Sequence, residues 1–198
     1  VDESVFRVYT QVGGIFPEAE TLAPLEPEEI AALLKLRYEY LELPGRSVVP
    51  PVETGDAARL YDLYRGDLRN FLRLLGDAAE RGLGLHGVRS MTAAEVLRFA
   101  RPEYERSLRR RVGDTDFGYL RKILTAHGGT SPEFRVTDAT RILGITQASA
   151  SLFVDRVGRS GALHQTRTQG RSVYYRMSGE ALVGLGLESE AGIPGPRM

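Results

Sequence analysis

The 198 residues carry 26 Lys/Arg and 26 Asp/Glu, so the formal net charge is zero, with 42% hydrophobic residues and no cysteine. Such a chain holds one large domain or two small ones and has an ordinary globular composition. The missing cysteine excludes a disulfide framework and a thiolate metal site. No apolar run approaches the ~18 residues of a bilayer span and no secretory signal is visible, so a cytoplasmic protein with no membrane partner is expected.

The zero average conceals a gradient. Residues 1–56 carry a net −7, residues 57–116 +3, residues 117–178 +6 and residues 179–198 −2. The basic segment is where a phosphate-binding surface is expected. Lys35 and Lys122 are the two lysines, so the positive charge is nearly all arginine. Arginine forks suit phosphate and guanine, although a GC-rich genome is the simpler source of that bias.

Residues 1–12 (VDESVFRVYTQV) form a β-rich run punctuated by Gly13-Gly14, and a first residue of valine is expected of a fragment or processed product. Pro27, Glu28 and Glu29 open a helix, with carboxylates at its positive end and Ile30, Leu33, Leu34 and Leu41 on its buried face. Pro44-Gly45 and Pro50-Pro51 mark an irregular connection. A helical pair follows: Ala57, Leu60, Tyr61 and Tyr64 stripe the first member, and Arg65-Gly66 interrupts it. Asp67 caps the second, which buries Leu68, Phe71, Leu72, Leu75 and Ala79, with Gly82 as its expected terminator. Thr92 to Glu95 spell a capping box. Pro102 is expected to split the run behind it into two short helices ending at Arg109-Arg110-Arg111.

From Asp116 the pattern changes. Phe117, Leu120, Ile123 and Leu124 stripe a first helix. Thr137 is the expected cap of a second (Ala139, Ile142, Leu143), closed by Gly144. Thr146 caps a third, whose inner face is Ala150, Phe153, Val154 and Val157, with Gly161 at its end. Leu163–Thr168 and Arg171–Met177 read as strands joined at Gln169-Gly170. Residues 188–198 form a Gly/Pro-containing tail expected to fray. The division expected is a helical module over 1–113, a second domain over 114–187 and the tail.

Helix, turn, helix and hairpin in that order are the pattern of a winged helix-turn-helix, which most often reads double-stranded DNA. Thr146, Gln147, Ser149 and Ser151 would lie nearest the base edges, with Arg156 and Arg159 further along the third helix. Arg167, Gln169 and Arg171 on the hairpin suit minor-groove or phosphate contact. The stretches ILGITQASASLFVDRV and RSVYYRMS resemble the DNA-reading region of MarR-like regulators. Leu152 departs from that pattern, standing where such helices often place a basic or polar residue. If Leu152 faces outward, docking on protein becomes the competing expectation.

A second resemblance lies upstream. GDLRNFLRLLGDA, from Gly66, resembles the sensor-2 helix in the lid of AAA+ ATPases, and LAPLEPEEIAALLKLRYEYL is similar to the link from an AAA+ core into its lid. The likeness runs diffusely over residues 20–178. It implies that Arg69 senses the nucleotide γ-phosphate, whereas read by itself Arg69 serves equally well as a surface ion pair or cap. A lid followed by a winged helix is the C-terminal arrangement of origin-recognition-type and Holliday-junction branch-migration ATPases. The sequence has no G-x-x-x-x-G-K-[ST] loop and no strand ending in paired carboxylates for magnesium. ATP and magnesium would therefore need an upstream core domain, and no enzyme activity or cofactor is expected of this chain itself.

Gly82 to Gly87 match G-x-G-x-x-G, but they follow a helix rather than a strand, so the match reads as accidental. His86, His127 and His164 lack metal-ligand spacing, and no catalytic triad is apparent. The expectation is a mainly α chain: an AAA+-lid-like helical module, then a winged helix with a β-hairpin wing. It would grip double-stranded DNA as the C-terminal part of an ATPase. The alternatives are a stand-alone regulator whose N-terminal helices dimerise, or a winged helix that binds protein.

Overall fold

The computed structural model describes residues 25–41, 48–86, 89–128 and 133–186. The N-terminal β-rich run, Pro44-Gly45 and the tail lie outside them. The described chain is mainly helical, with eight helices and a small three-stranded antiparallel sheet. None of the described helices is long and apolar enough to cross a membrane.

Helix α1 (Pro27–Leu41) buries Ile30 and Leu34, and α2 (Thr54–Tyr64) buries Ala57, Leu60, Tyr61, Leu63 and Tyr64. Arg65 then adopts the left-handed conformation (φ 51°), followed by Gly66 at φ 93°, which reverses the chain. Asp67 accepts the backbone N–H of Asn70 at 3.1 Å and so caps α3 (Leu68–His86). Its core face holds Phe71, Leu74, Leu75 and Ala78.

Gly82 does not terminate α3, which continues through His86. It is buried where a Cβ would come within 2.8 Å of the Met91 sulfur. The Met91 side chain packs over this position, and the chain does not reverse there.

Helix α4 (Ala93–Val112) opens with the expected capping box: the Glu95 N–H donates to Thr92 Oγ1 at 3.3 Å and the Thr92 N–H to Glu95 Oε2 at 3.0 Å. Pro102 lies inside this one continuous helix instead of dividing it. Val96, Leu97, Ala100, Tyr104 and Leu108 are buried on both sides of the proline, so packing of one face outweighs the lost backbone bond. Arg81 Nη1 donates to the carbonyl of Phe99 at 3.1 Å, supplying a donor in the turn that Pro102 disturbs.

Helix α5 (Asp114–Ala126) leads to β1 (Phe134–Arg135), α6 (Val136–Leu143), α7 (Gln147–Arg159), the hairpin β2 (Leu163–Gln169) and β3 (Ser172–Met177), and finally α8 (Gly179–Leu185). The α6 terminus differs from expectation, since Thr137 lies inside the helix. Arg135 is extended and pairs with Tyr174, and its N–H donates to Asp138 at 3.0 Å, so the strand-to-helix switch falls before Thr137. Gly144 (φ 67°) closes α6. The strands run antiparallel in the order β1-β3-β2, and the hairpin turns at Gly170-Arg171, one residue later than expected.

Helix α8 was not expected from the sequence. Ala181, Leu182, Val183 and Leu185 are all buried, and each large aliphatic side chain so placed contributes up to ~1.5–3 kcal/mol. Ser178 caps it, accepting the Ala181 N–H at 3.2 Å. Gly184 lies against the Tyr104 carbonyl and Gly179 against the Tyr64 ring. Glu180 takes Arg73 on one oxygen and Arg111 on the other, the latter at 3.2 Å. The last helix thus ties residues after the hairpin onto α2, α3 and α4.

Candidate nucleic-acid interface

Inward positions on α7 are Ala150, Phe153, Val154 and Val157, all buried, with Tyr119 edge-on to Phe153 at 5.5 Å between ring centroids. The period of 3.6 then turns Ala148, Ser151, Leu152, Asp155 and Arg159 to solvent. Leu152 is 60% exposed. At the N-terminus Thr146 Oγ1 accepts the Ser149 N–H at 3.2 Å and lies 2.9 Å from Ser149 Oγ, so both hydroxyls take part in the cap. Gln147 and Ser151 are exposed beside them.

The two α7 arginines are engaged. Arg156 donates through Nε and Nη2 to the carboxylate of Asp116 on α5, at 3.0 and 2.8 Å. Hydrogen bonding to that buried carboxylate raises the Arg156 pKa. Arg159 pairs with Asp155 one turn earlier.

On the hairpin, Arg167 Nε donates to Glu133 at 2.8 Å, and its guanidinium stacks 4.1 Å from the Tyr174 ring centroid. Its Nη1 donates to Gln169 Oε1 at 3.3 Å. The Arg167 hydrogen bond holds the Glu133 carboxyl below its ordinary range. Arg171, at the turn, is exposed and has no ion pair among the described residues.

Much of the positive charge is therefore met locally: Asp138 by Arg135 and Arg141, Asp116 by Arg156, Asp155 by Arg159 and Glu133 by Arg167. Arg121, Lys122 and Arg171 are exposed and form no ion pair among the described residues. Exposed pairs are worth ~0–1 kcal/mol, so Arg159 and Arg167 can exchange a carboxylate for a phosphate at little cost. Arg156 cannot, because Asp116 would be left buried and unpaired.

The hairpin gathers Arg167, Gln169 and Arg171, and the α7 N-terminus gathers Thr146, Gln147, Ser149 and Ser151. Arg69 stands apart from both, exposed in the first turn of α3. A cleft of about 270 Å³ at the junction of the helical and hairpin-bearing parts is lined by Arg65, Asp67, Asn70, Arg111, His164 and Glu180 among others, and Arg69 is not among its walls. Sequence reasoning did not find Asp116, Glu133 or Tyr174. Asp116 and Glu133 lie 40 and 34 residues from the arginines they hold, and no local pattern marks such pairs. No protein-family model and no curated protein matches the sequence.

Proposed function

We propose that residues 114–186 act as a winged-helix module that grips duplex DNA, and that α1 to α4 act as an AAA+-type lid. On this reading the chain is the C-terminal, DNA-gripping part of an ATPase whose nucleotide chemistry resides in a core domain outside it. The observation that carries the proposal is the solvent-facing α7 followed by an antiparallel hairpin bearing Arg167 and Arg171. A helix presented after a short turn, with a basic hairpin behind it, is the geometry by which winged helices enter the major groove. The Gly66-Asp67-Leu68-Arg69 turn at the head of α3, with Arg69 exposed, supports the lid reading. The test is binding of a labelled duplex at rising salt, since phosphate neutralisation makes affinity fall linearly in log–log form.

One observation favours a second reading. Leu152 and Ala148 lie at the centre of the outward face of α7, and an apolar centre also suits docking on a protein. That reading expects no salt-sensitive DNA affinity.

A further inference from the structure

Side chains sort base pairs in the major groove by chemistry. Guanidinium and ammonium groups match guanine O6 and N7, a side-chain amide matches adenine N6 and N7, and an aliphatic group matches the thymine methyl. The half of a recognition helix nearest the base edges is its N-terminal half. On α7 that half presents Gln147, Ala148, Ser151 and Leu152 to solvent and contains no charged side chain. The two arginines lie beyond it, Arg156 bound to buried Asp116 and Arg159 closing the helix beside Asp155. Asp155 is neutralised by that pairing, so the face carries no net negative charge toward phosphate. The exposed cations Arg121, Lys122 and Arg171 of the same module supply charge complementary to a duplex. Leu152 is a large aliphatic side chain left 60% exposed on this face.

We propose that α7 reads A·T base pairs, with Leu152 and Ala148 packed on thymine methyl groups and Gln147 paired with adenine. This rests on the DNA-binding reading and names the sequence class it selects. The departure of Leu152 from a basic contact residue becomes the specificity device.

The experiment compares three labelled duplexes of about 20 base pairs at one salt concentration: alternating A·T, the same duplex with deoxyuridine for every thymidine, and alternating G·C. The A·T duplex is expected to bind more tightly than the G·C one. Removing the methyl groups weakens binding about fourfold for each methyl in contact, the transfer value of one buried carbon. Leu152→Ser is expected to shrink the thymine–uracil difference at least severalfold while leaving the salt slope unchanged. Equal, salt-sensitive affinity for the thymine and uracil duplexes, or a preference for G·C, overturns A·T reading and leaves the DNA-binding proposal standing. Failure to bind any of the three overturns both.

Discussion

Asp116, in the first turn of α5, is 6% exposed and receives two hydrogen bonds from Arg156 of α7, at 2.8 and 3.0 Å. The pair fixes the outward helix against the helix that opens its module, and with it the direction in which Gln147, Ser151 and Leu152 point. It also makes the two partners unequal, since Asp116 is buried while Arg156 is half exposed.

That inequality sets the order of two substitutions. Arg156→Ala leaves a buried carboxylate without a partner and is expected to cost about 2 kcal/mol, within the range for breaking charged hydrogen bonds. Asp116→Asn leaves an arginine that rehydrates and is expected to cost about 1 kcal/mol. Urea denaturation of both single variants and the double variant checks this. A larger loss for Asp116→Asn would show that the pair does not work as described.

Gly184 tests how α8 is held. A Cβ there would lie 2.8 Å from the Tyr104 carbonyl oxygen and 2.9 Å from its carbon. Alanine is the better helix former by about 1 kcal/mol, but the obstacle is backbone and cannot rotate away. Gly184→Ala is therefore expected to destabilise by about 1–3 kcal/mol, read as a lower urea midpoint. A neutral or stabilised variant would mean that α8 does not pack closely on α4.

The α4 capping box gives a pH signature. The Arg89 hydrogen bond, then the Thr92 backbone N–H, pulls the Glu95 carboxyl from 4.5 down to about 2. Because the folded value is the lower one, the stabilisation is complete above about 4.5 and is lost as pH falls toward about 2. Glu95→Gln retains a capping side chain but loses the charge. Its Tm is expected to lie below wild type near neutrality, with the gap closing through that acidic window. A gap of constant size at every pH would contradict the assignment.

Arg69 separates the lid proposal from the DNA grip. Its side chain is exposed and outside the junction cleft. Arg69→Ala is expected to change stability by less than about 0.5 kcal/mol and to leave duplex affinity unchanged. A substantial fall in Tm would identify Arg69 as a structural cap.

Helical stripes and caps were the legible part of the fold. Spacing alone places Phe117, Leu120, Ile123 and Leu124, and then Ala150, Phe153, Val154 and Val157, inward, and all are buried. Residue type marks Thr92, Asp67 and Thr146 as caps, and each accepts a backbone N–H three residues on. What failed was local punctuation overruled by tertiary packing: Gly82 under Met91, Pro102 within a helix buried on both sides of it, and Thr137 behind a strand that Tyr174 sets. Helix α8 was missed because GEALVGL is too short and too uniformly apolar to show a period. Of the candidate interface, the outward set on α7 followed from the inward one. The carboxylates that hold Arg156, Arg159 and Arg167 did not follow: Glu133 and Asp155 are already counted in the net +6 of residues 117–178, and Asp116, just outside that segment, brings it to +5.

The most direct test of the DNA-gripping proposal is a salt titration of duplex affinity for the wild-type chain and for the Arg167→Ala, Arg171→Ala double variant. With Arg121, Lys122 and Arg171 exposed and Arg167 able to exchange Glu133 for a phosphate, three or four phosphates are neutralised, and log affinity is expected to fall with log salt at a slope of about −3. The double variant, left with Arg121 and Lys122, is expected to bind at least tenfold more weakly, with a slope reduced to about −2. Duplex affinity that does not depend on salt, or a slope that the double substitution leaves unchanged, would contradict the account.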